Sequence, residues 1–156
     1  MKFHLLKFIF IFITISLNAD NKVVNINTLI QTANKDNKQV ITFFHMTHCG
    51  YCKRMENKTF NNTKIKSFIN KHFTFIDINI DDKEKIFFDN KQYTKKDFAT
   101  YLDIDFFPTV IFFDKDAEIT YTARGYRSIK KFQKILEFIE SKSFESMDFF
   151  DFNRDN

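Results

Sequence analysis

The chain is poor in the residues that usually mark turns, linkers and repeats. Its 156 residues include two glycines, one proline, two cysteines and no tryptophan. No Gly/Ser-rich linker, internal repeat or block of like charge interrupts the sequence, so nothing divides it into two domains. All cysteine chemistry must come from one pair, because there is no third cysteine.

A strong net charge is also missing. The formal charge is +4, from 24 basic and 20 acidic side chains. Lys2 and Lys7 belong to a distinct N-terminal segment, and without them 22 basic against 20 acidic side chains leave +2. A balance this even argues against nucleic acid as a partner.

The N-terminal segment has the pattern of an export signal. A basic start at residues 1–7 precedes an apolar run at 8–17 and then Ala19. A run of about ten residues is too short for the roughly 20 that cross a bilayer as a helix. We predict a signal peptide at 1–19, cleaved after Ala19; an uncleaved anchor is the alternative, because Leu17 is larger than signal peptidases prefer. In both cases the domain lies outside the cytoplasm, in the periplasm, where a disulfide can persist.

The two cysteines occupy the segment His48-Cys49-Gly50-Tyr51-Cys52-Lys53. A β-branched and aromatic run at 39–44 precedes it and predicts a buried strand, whereas 53–56 reads as the start of a helix. At such a junction the unpaired backbone N–H groups and the helix dipole favour an anion, so the first thiol can ionise near neutral pH. The pattern indicates redox chemistry.

Apolar periodicity predicts further elements on both sides of this segment. They are a short helix at 27–33, a strand at 39–45, two helical pieces around a break at 61–63, a strand at 73–80 parallel to the first, a helix capped by Thr94, a hairpin of 106–113 with 118–123, and a helix capped by Ser128.

Two segments have no place in this order. The charged insertion at 81–93 is expected to be a surface loop that Ile86-Phe87-Phe88 pins to the core, with a partner-docking surface as the alternative. The domain itself is predicted at 20–143. The tail at 144–156 has no obvious structural partner, so we expect it to be disordered or loosely packed.

Several of these motifs resemble the thioredoxin superfamily, and within it the small secreted SoxW-type thioredoxins associated with bacterial sulfur-oxidation gene clusters. The resemblance covers about residues 35–142 and rests on CGYCKRME at 49–56, FIDIN at 75–79, FPTVIFFD at 107–114 and Gly125-Tyr126. It implies an α/β thioredoxin fold, with a central mixed sheet flanked by helices and the CxxC at a helix N-terminus. The insertion at 81–93 also has a counterpart in the SoxW-like proteins.

The site residues follow from the motif and the resemblance together. Cys49 is expected to be the nucleophile that attacks a substrate disulfide, and Cys52 the residue that resolves the mixed disulfide. Gly50 and Tyr51 should tune the stability of the thiolate, with His48 beside them.

The resemblance also assigns a substrate-binding loop opposite the cysteines. Pro108 matches a cis-proline whose loop faces the CxxC in thioredoxin-like proteins. The backbone of Phe107 would then pair with the substrate as an added strand, and Gly125 would lie in the adjacent loop.

The chain departs from the better-known thioredoxins at two positions. Phe43 stands where many of them have a buried acidic residue that assists proton transfer, and His48 stands where tryptophan commonly precedes the first cysteine. The proton acceptor for Cys52 is therefore open, with His48, His45, Glu56 and water as candidates.

Other kinds of protein can use two cysteines at this spacing. A zinc or cuprous copper module could use His45, His48, Cys49 and Cys52, provided the strand end folds back so that all four converge. Covalent c-type haem is disfavoured because Lys53, not histidine, follows the second cysteine. A purely stabilising disulfide is a further alternative, although closing so short a loop stabilises little.

We expect an exported, monomeric thiol–disulfide oxidoreductase without a cofactor, acting as a reductase. The resemblance implies electrons arriving from a membrane thiol transporter and leaving to the disulfide of a secreted protein. An oxidase or isomerase is the alternative, since some periplasmic disulfide isomerases also have a Gly-Tyr pair. Those enzymes carry a separate dimerisation domain, for which the stretch between Asp20 and Gln39 leaves no room.

Overall fold

The computed structural model describes residues 23–155, so the predicted signal peptide at 1–19 lies outside the described residues. Its elements are, in chain order, β1 (Val23–Asn25), α1 (Ile26–Lys35), β2 (Gln39–His45), α2 (Gly50–Arg54), a π-helical continuation (Met55–Phe60), α3 (Thr63–His72), β3 (Phe73–Asn79), β4 (Lys85–Phe88), β5 (Lys91–Thr94), α4 (Lys95–Tyr101), β6 (Thr109–Phe113), β7 (Ile119–Arg124), α5 (Ile129–Glu140), a 3-10 turn (Ser143–Glu145) and α6 (Phe149–Asp155). No helix within this part of the chain is long and apolar enough to cross a membrane.

Four strands form the central sheet, in the order β3-β2-β6-β7. Strands β2 and β3 are parallel, whereas β6 is antiparallel to β2 and β7 is antiparallel to β6. The sheet is therefore mixed, and the parallel pairing expected from the β-α-β order is confirmed.

Strand β2 lies at the centre because both of its faces are apolar. Val40 and Phe44 pack in one buried cluster with residues of α1 and α4, while Ile41 and Phe43 pack in a second cluster with residues of α3 and α5. A strand covered on both faces is expected to read as a continuous apolar run rather than an alternating one. The helices thus form a layer on each side of the sheet, as the thioredoxin fold requires.

The segment at 81–93 is a hairpin, not the surface loop expected from the sequence. Strands β4 and β5 pair antiparallel around Asp89 and Asn90, which both have positive φ, and β1 pairs with β4 in parallel to complete a small three-stranded sheet. Ile86 and Phe88 are buried in the core, so the expected apolar anchor is present. Buried and less buried residues alternate along β4, as expected for a strand with one face on the core.

A buried lysine fastens this hairpin to the start of α4. The Lys95 side chain donates to Asp82 at 2.8 Å and to Glu84 at 2.9 Å, and only 3% of the residue is exposed. Burial opposes the charged form, but these two hydrogen bonds and the carboxylate charges outweigh it and raise the pKa of Lys95. Two acidic partners are what make a buried lysine tolerable.

The tail forms helix α6 and packs on α5, whereas the sequence led us to expect a disordered or loosely packed segment. The rings of Phe149 and Phe152 lie 5.4 and 5.2 Å from that of Phe138 on α5, while Phe150 points away and is 73% exposed. Residues three apart share one face of a helix, so two of the three aromatic rings can cover α5 at once.

Candidate active site

The sheet topology brings three separate segments to one end of the molecule. Strand β2 leads directly into the cysteine segment, and Phe44 near its end pairs with Thr109 at the start of antiparallel β6. Thr109 in turn pairs with Arg124 at the end of β7. Pro108 and Gly125 therefore lie at the same end of the sheet as the cysteines, and the Gly125 N–H donates to the Pro108 carbonyl at 2.7 Å.

The two cysteines are joined by a disulfide at the start of α2. Cys49 is the N-cap residue, and its Sγ accepts a hydrogen bond from the Cys52 N–H at 3.1 Å. Cys49 is half-buried, whereas Cys52 is fully buried in the first turn. A sulfur that already accepts a helix N–H group is placed to be stabilised as a thiolate after reduction.

The residues around this disulfide are open to solvent. Gly50 and His48 are exposed, and Tyr51 is 63% exposed. The structure places His48 on the surface of the cysteine segment. A partner can therefore reach Cys49 from this side.

The segment around Pro108 borders the cysteine segment at this end of the sheet. The Phe107-Pro108 peptide is cis, Pro108 is buried and Phe107 is half-buried between the two apolar clusters. The Thr109 hydroxyl donates to the Phe106 carbonyl at 2.7 Å, and the Phe106 ring is 57% exposed.

Gly125 has a backbone that favours glycine. Its φ is +85°, and a Cβ there would lie 3.2 Å from Cε1 of Phe106. The following Tyr126 ring carries the Arg54 guanidinium 4.8 Å above its centre, and Thr59 donates to the Arg127 carbonyl at 2.7 Å. These contacts fix the Gly125 loop to the cysteine helix. Sequence reasoning missed the roles of Arg54 and Thr59, for which the local pattern holds no signal.

Two of the proton-acceptor candidates named from the sequence meet in one cluster. His45 has its Nδ1 3.4 Å from Glu56 and its Nε2 hydrogen-bonded to Asp77. Burial disfavours the charged ring, but the hydrogen bond and charge of Asp77, with the charges of Glu56 and Asp82, outweigh it and raise the pKa of His45. Asp77 was missed from the sequence, although the parallel pairing of β2 and β3 sets it opposite Phe43.

The metal alternative is not supported by this arrangement. Its two sulfurs are bonded to each other, His48 is exposed, and the two ring nitrogens of His45 face separate carboxylates. Across residues 23–155 no group of three or more potential ligand side chains is placed to hold a metal ion.

A mixed sheet between helix layers, with a CxxC disulfide opening a helix, defines a thioredoxin-fold protein with a thiol–disulfide redox pair. Residues 26–140 match the thioredoxin-like domain family, and the chain belongs to that family. Its fold and CxxC pair are those of a thiol–disulfide oxidoreductase. No curated protein sequence matches the chain significantly.

Solved structures share the fold at low sequence identity. A thioredoxin-fold protein from Helicobacter pylori is 23% identical with a TM-score of 0.66, covering 88% of this chain and 85% of its own. A thioredoxin from Thermus thermophilus is 18% identical with a TM-score of 0.60, over 76% of this chain and 85% of its own. The C-terminal domain of DsbD from Neisseria meningitidis, in reduced form, is 19% identical with a TM-score of 0.53, over 70% and 90%.

Proposed function

We propose that the protein is an exported thiol–disulfide reductase that donates electrons from the Cys49/Cys52 dithiol to the disulfide of a protein substrate. The observation that carries this proposal is the unequal environment of the two sulfurs. Cys49 caps α2 and is partly exposed, whereas Cys52 is fully buried. One sulfur is thus available to a partner and the other is available only to its neighbour.

The chemistry proceeds in two exchanges. The Cys49 thiolate attacks one substrate sulfur, forms an intermolecular disulfide and releases the other substrate sulfur as a thiolate. Cys52 then loses its proton to solvent and attacks Cys49, which restores the Cys49–Cys52 disulfide and frees the second substrate sulfur. Two electrons pass to the substrate, and two protons from the dithiol and solvent complete its thiols.

The substrate contacts are proposed from the segments around the disulfide. Phe107 would offer backbone groups to an extended substrate segment, with Pro108 and Gly125 shaping the loops on either side. The exposed rings of Tyr51 and Phe106 supply apolar surface for such a segment. Gly50, Tyr51 and His48 would adjust the thiolate through their closeness to the helix N-terminus.

The reducing direction is supported by charge near the cysteine helix. Glu56, four residues after Cys52, and Asp77 on β3 place two carboxylates against the His45 imidazole. Strongly oxidising proteins of this kind stabilise their reduced form. Negative charge near a thiolate destabilises it and therefore favours a reductase. An oxidase or isomerase is the competing function, and a measured potential separates the two.

Location and partners complete the proposal. The signal-like segment at 1–19 supports a site outside the cytoplasm, in the periplasm, where a disulfide can persist. There a membrane thiol transporter would reduce Cys49–Cys52, and the protein would act as a monomer without a cofactor. The SoxW-type resemblance points to a sulfur-carrier protein or a protein of cytochrome maturation as the substrate.

The test is disulfide reduction by matched single-cysteine variants. Cys49→Ala should reduce no insulin disulfides and form no adduct with a partner. Cys52→Ala should lose turnover yet accumulate a mixed disulfide through Cys49, because no second thiol can release it. Full activity in both variants would refute the proposal, and adducts on Cys49→Ala but not Cys52→Ala would reverse the two roles.

A further inference from the structure

His45 is held between two carboxylates at the end of β2. Asp77 on β3 binds Nε2 and Glu56 lies 3.4 Å from Nδ1, while the ring stacks on Phe43 at 4.9 Å and its side chain is 12% exposed. Asp77 is hydrogen-bonded to the ring, and Glu56 adds a second negative charge beside Nδ1. Two nearby carboxylates therefore favour the positively charged form of His45.

This charge lies beside the helix that carries the buried thiol. Glu56 follows Cys52 by four residues in the continuous helical stretch 50–60, a rise of about 6 Å along the axis. Phe43, on which His45 stacks, belongs to the same buried cluster as Cys52.

The remaining charged groups near His45 come from the loop after β3 and from the cysteine segment. Asp82 adds a charge that raises the pKa of His45. Asp81 accepts a hydrogen bond from the Thr47 N–H at 2.8 Å, which is the main reason that its own pKa is lowered, with His48 and His45 contributing. Negative charge therefore surrounds the imidazolium on several sides.

We propose that His45 is a positioning residue for the resolving step: its imidazolium compensates the carboxylates beside the cysteine helix and so allows the buried Cys52 thiol to ionise. The inference rests on the proposed function, because it concerns the step in which Cys52 displaces a substrate sulfur from Cys49. In that step the Cys52 S–H bond gives its proton to solvent, the Cys52–Cys49 bond forms, and the bond from Cys49 to the substrate sulfur breaks.

Substitutions in this cluster change its net charge one unit at a time. Glu56, His45 and Asp77 together carry −1 in the native cluster when His45 is protonated. His45→Gln changes this to −2, Glu56→Gln changes it to 0, and the double variant returns it to −1. If charge compensation is the role of His45, resolution should be slowest in His45→Gln and fastest in Glu56→Gln. The double variant should match the native protein.

The step can be timed with a chromogenic disulfide. Reduced protein mixed with dithiobis(nitrobenzoate) releases one thionitrobenzoate when Cys49 reacts and a second when Cys52 resolves the adduct. We expect the second release to slow about threefold in His45→Gln near neutral pH, because a less ionised thiol is partly offset by its greater nucleophilicity. Glu56→Gln in the same background should restore the native rate.

The pH profile supplies a readout that a packing role would not change. Below the raised pKa of His45 the native protein should resolve faster than His45→Gln, and above it the two should converge because the native cluster then also carries −2. His72→Gln is the matched control, since it removes another histidine beside a glutamate: His72, the last residue of α3, has its Nδ1 3.3 Å from Glu140 at the end of α5.

Three results would overturn the inference. Equal second-phase rates for the native protein and His45→Gln at all pH values would exclude a role in resolution. A double variant as slow as His45→Gln would exclude charge compensation, and a Glu56→Gln single variant slower than native would do so without relying on the fold of the histidine variant. If the native protein released no second thionitrobenzoate, the proposed function itself would fail.

Discussion

Gly125→Ala should destabilise the protein by about 1–2 kcal/mol, because an L side chain rarely adopts the φ of +85° found there. The added methyl group would also approach Cε1 of Phe106 to 3.2 Å. This second contribution is small, since Phe106 is exposed and its ring can move. The backbone strain therefore decides the magnitude.

The same substitution should also disturb the candidate site. The Gly125 N–H holds the Pro108 carbonyl at 2.7 Å, so a backbone that relaxes away from its native φ weakens the link between the two loops opposite the cysteines. We expect slower reduction of insulin disulfides at a temperature where the variant remains folded.

Gly50→Ala is the matched control, because these are the only glycines in the chain. A Cβ at Gly50 would meet nothing within 4 Å, its φ is not in the left-handed region, and alanine is the better helix former. Urea unfolding of both variants gives the comparison. Equal stability of the two variants would refute the argument from backbone strain.

Three further predictions concern packing and pH. Lys95→Ala should cost about 1–3 kcal/mol in urea unfolding, because Asp82 and Glu84 lose their shared partner but remain partly solvated; an unchanged midpoint would contradict the role given to this lysine. Phe149→Ala should cost about 1–2 kcal/mol, whereas Phe150→Ala should fall within about 0.5 kcal/mol of native; similar losses in both would mean that the tail is not packed as described. Because the pKa of His45 is raised, its protonation stabilises the fold; this stabilisation is fully present below the unfolded-state pKa near 6.5 and is lost as the pH rises through the folded-state pKa. The free energy of unfolding of His45→Gln, measured against pH, should not show this loss.

Local pattern was enough to predict the elements that build the site. The apolar run before the cysteines predicted β2 with its observed bounds of Gln39–His45, because a strand buried on both faces appears in the sequence as a continuous apolar run. Thr94 and Ser128 were predicted as helix caps, and each side chain accepts from the N–H three residues on. The Cys49/Cys52 pair at the start of α2 was predicted for the same local reasons.

Features that depend on distant segments were not predictable in this way. Strand β1 has three residues and pairs with β4 some sixty positions later, so no periodicity within either segment reveals the small sheet. The His45 and Asp77 contact likewise depends on the register between β2 and β3. The partners of the tail's aromatic residues lie on α5, so the sequence left open whether the tail is disordered or packed.

The reduction potential of the Cys49/Cys52 pair tests the central claim most directly. Equilibration of the purified protein with glutathione buffers, followed by alkylation of free thiols, gives the fraction reduced at each ratio. A reductase should lie near the thioredoxin end of the range, about −270 mV, because the net negative cluster beside α2 gives the thiolate little extra stabilisation. A value above about −160 mV, towards the strong oxidants near −120 mV, would contradict the account and favour an oxidase.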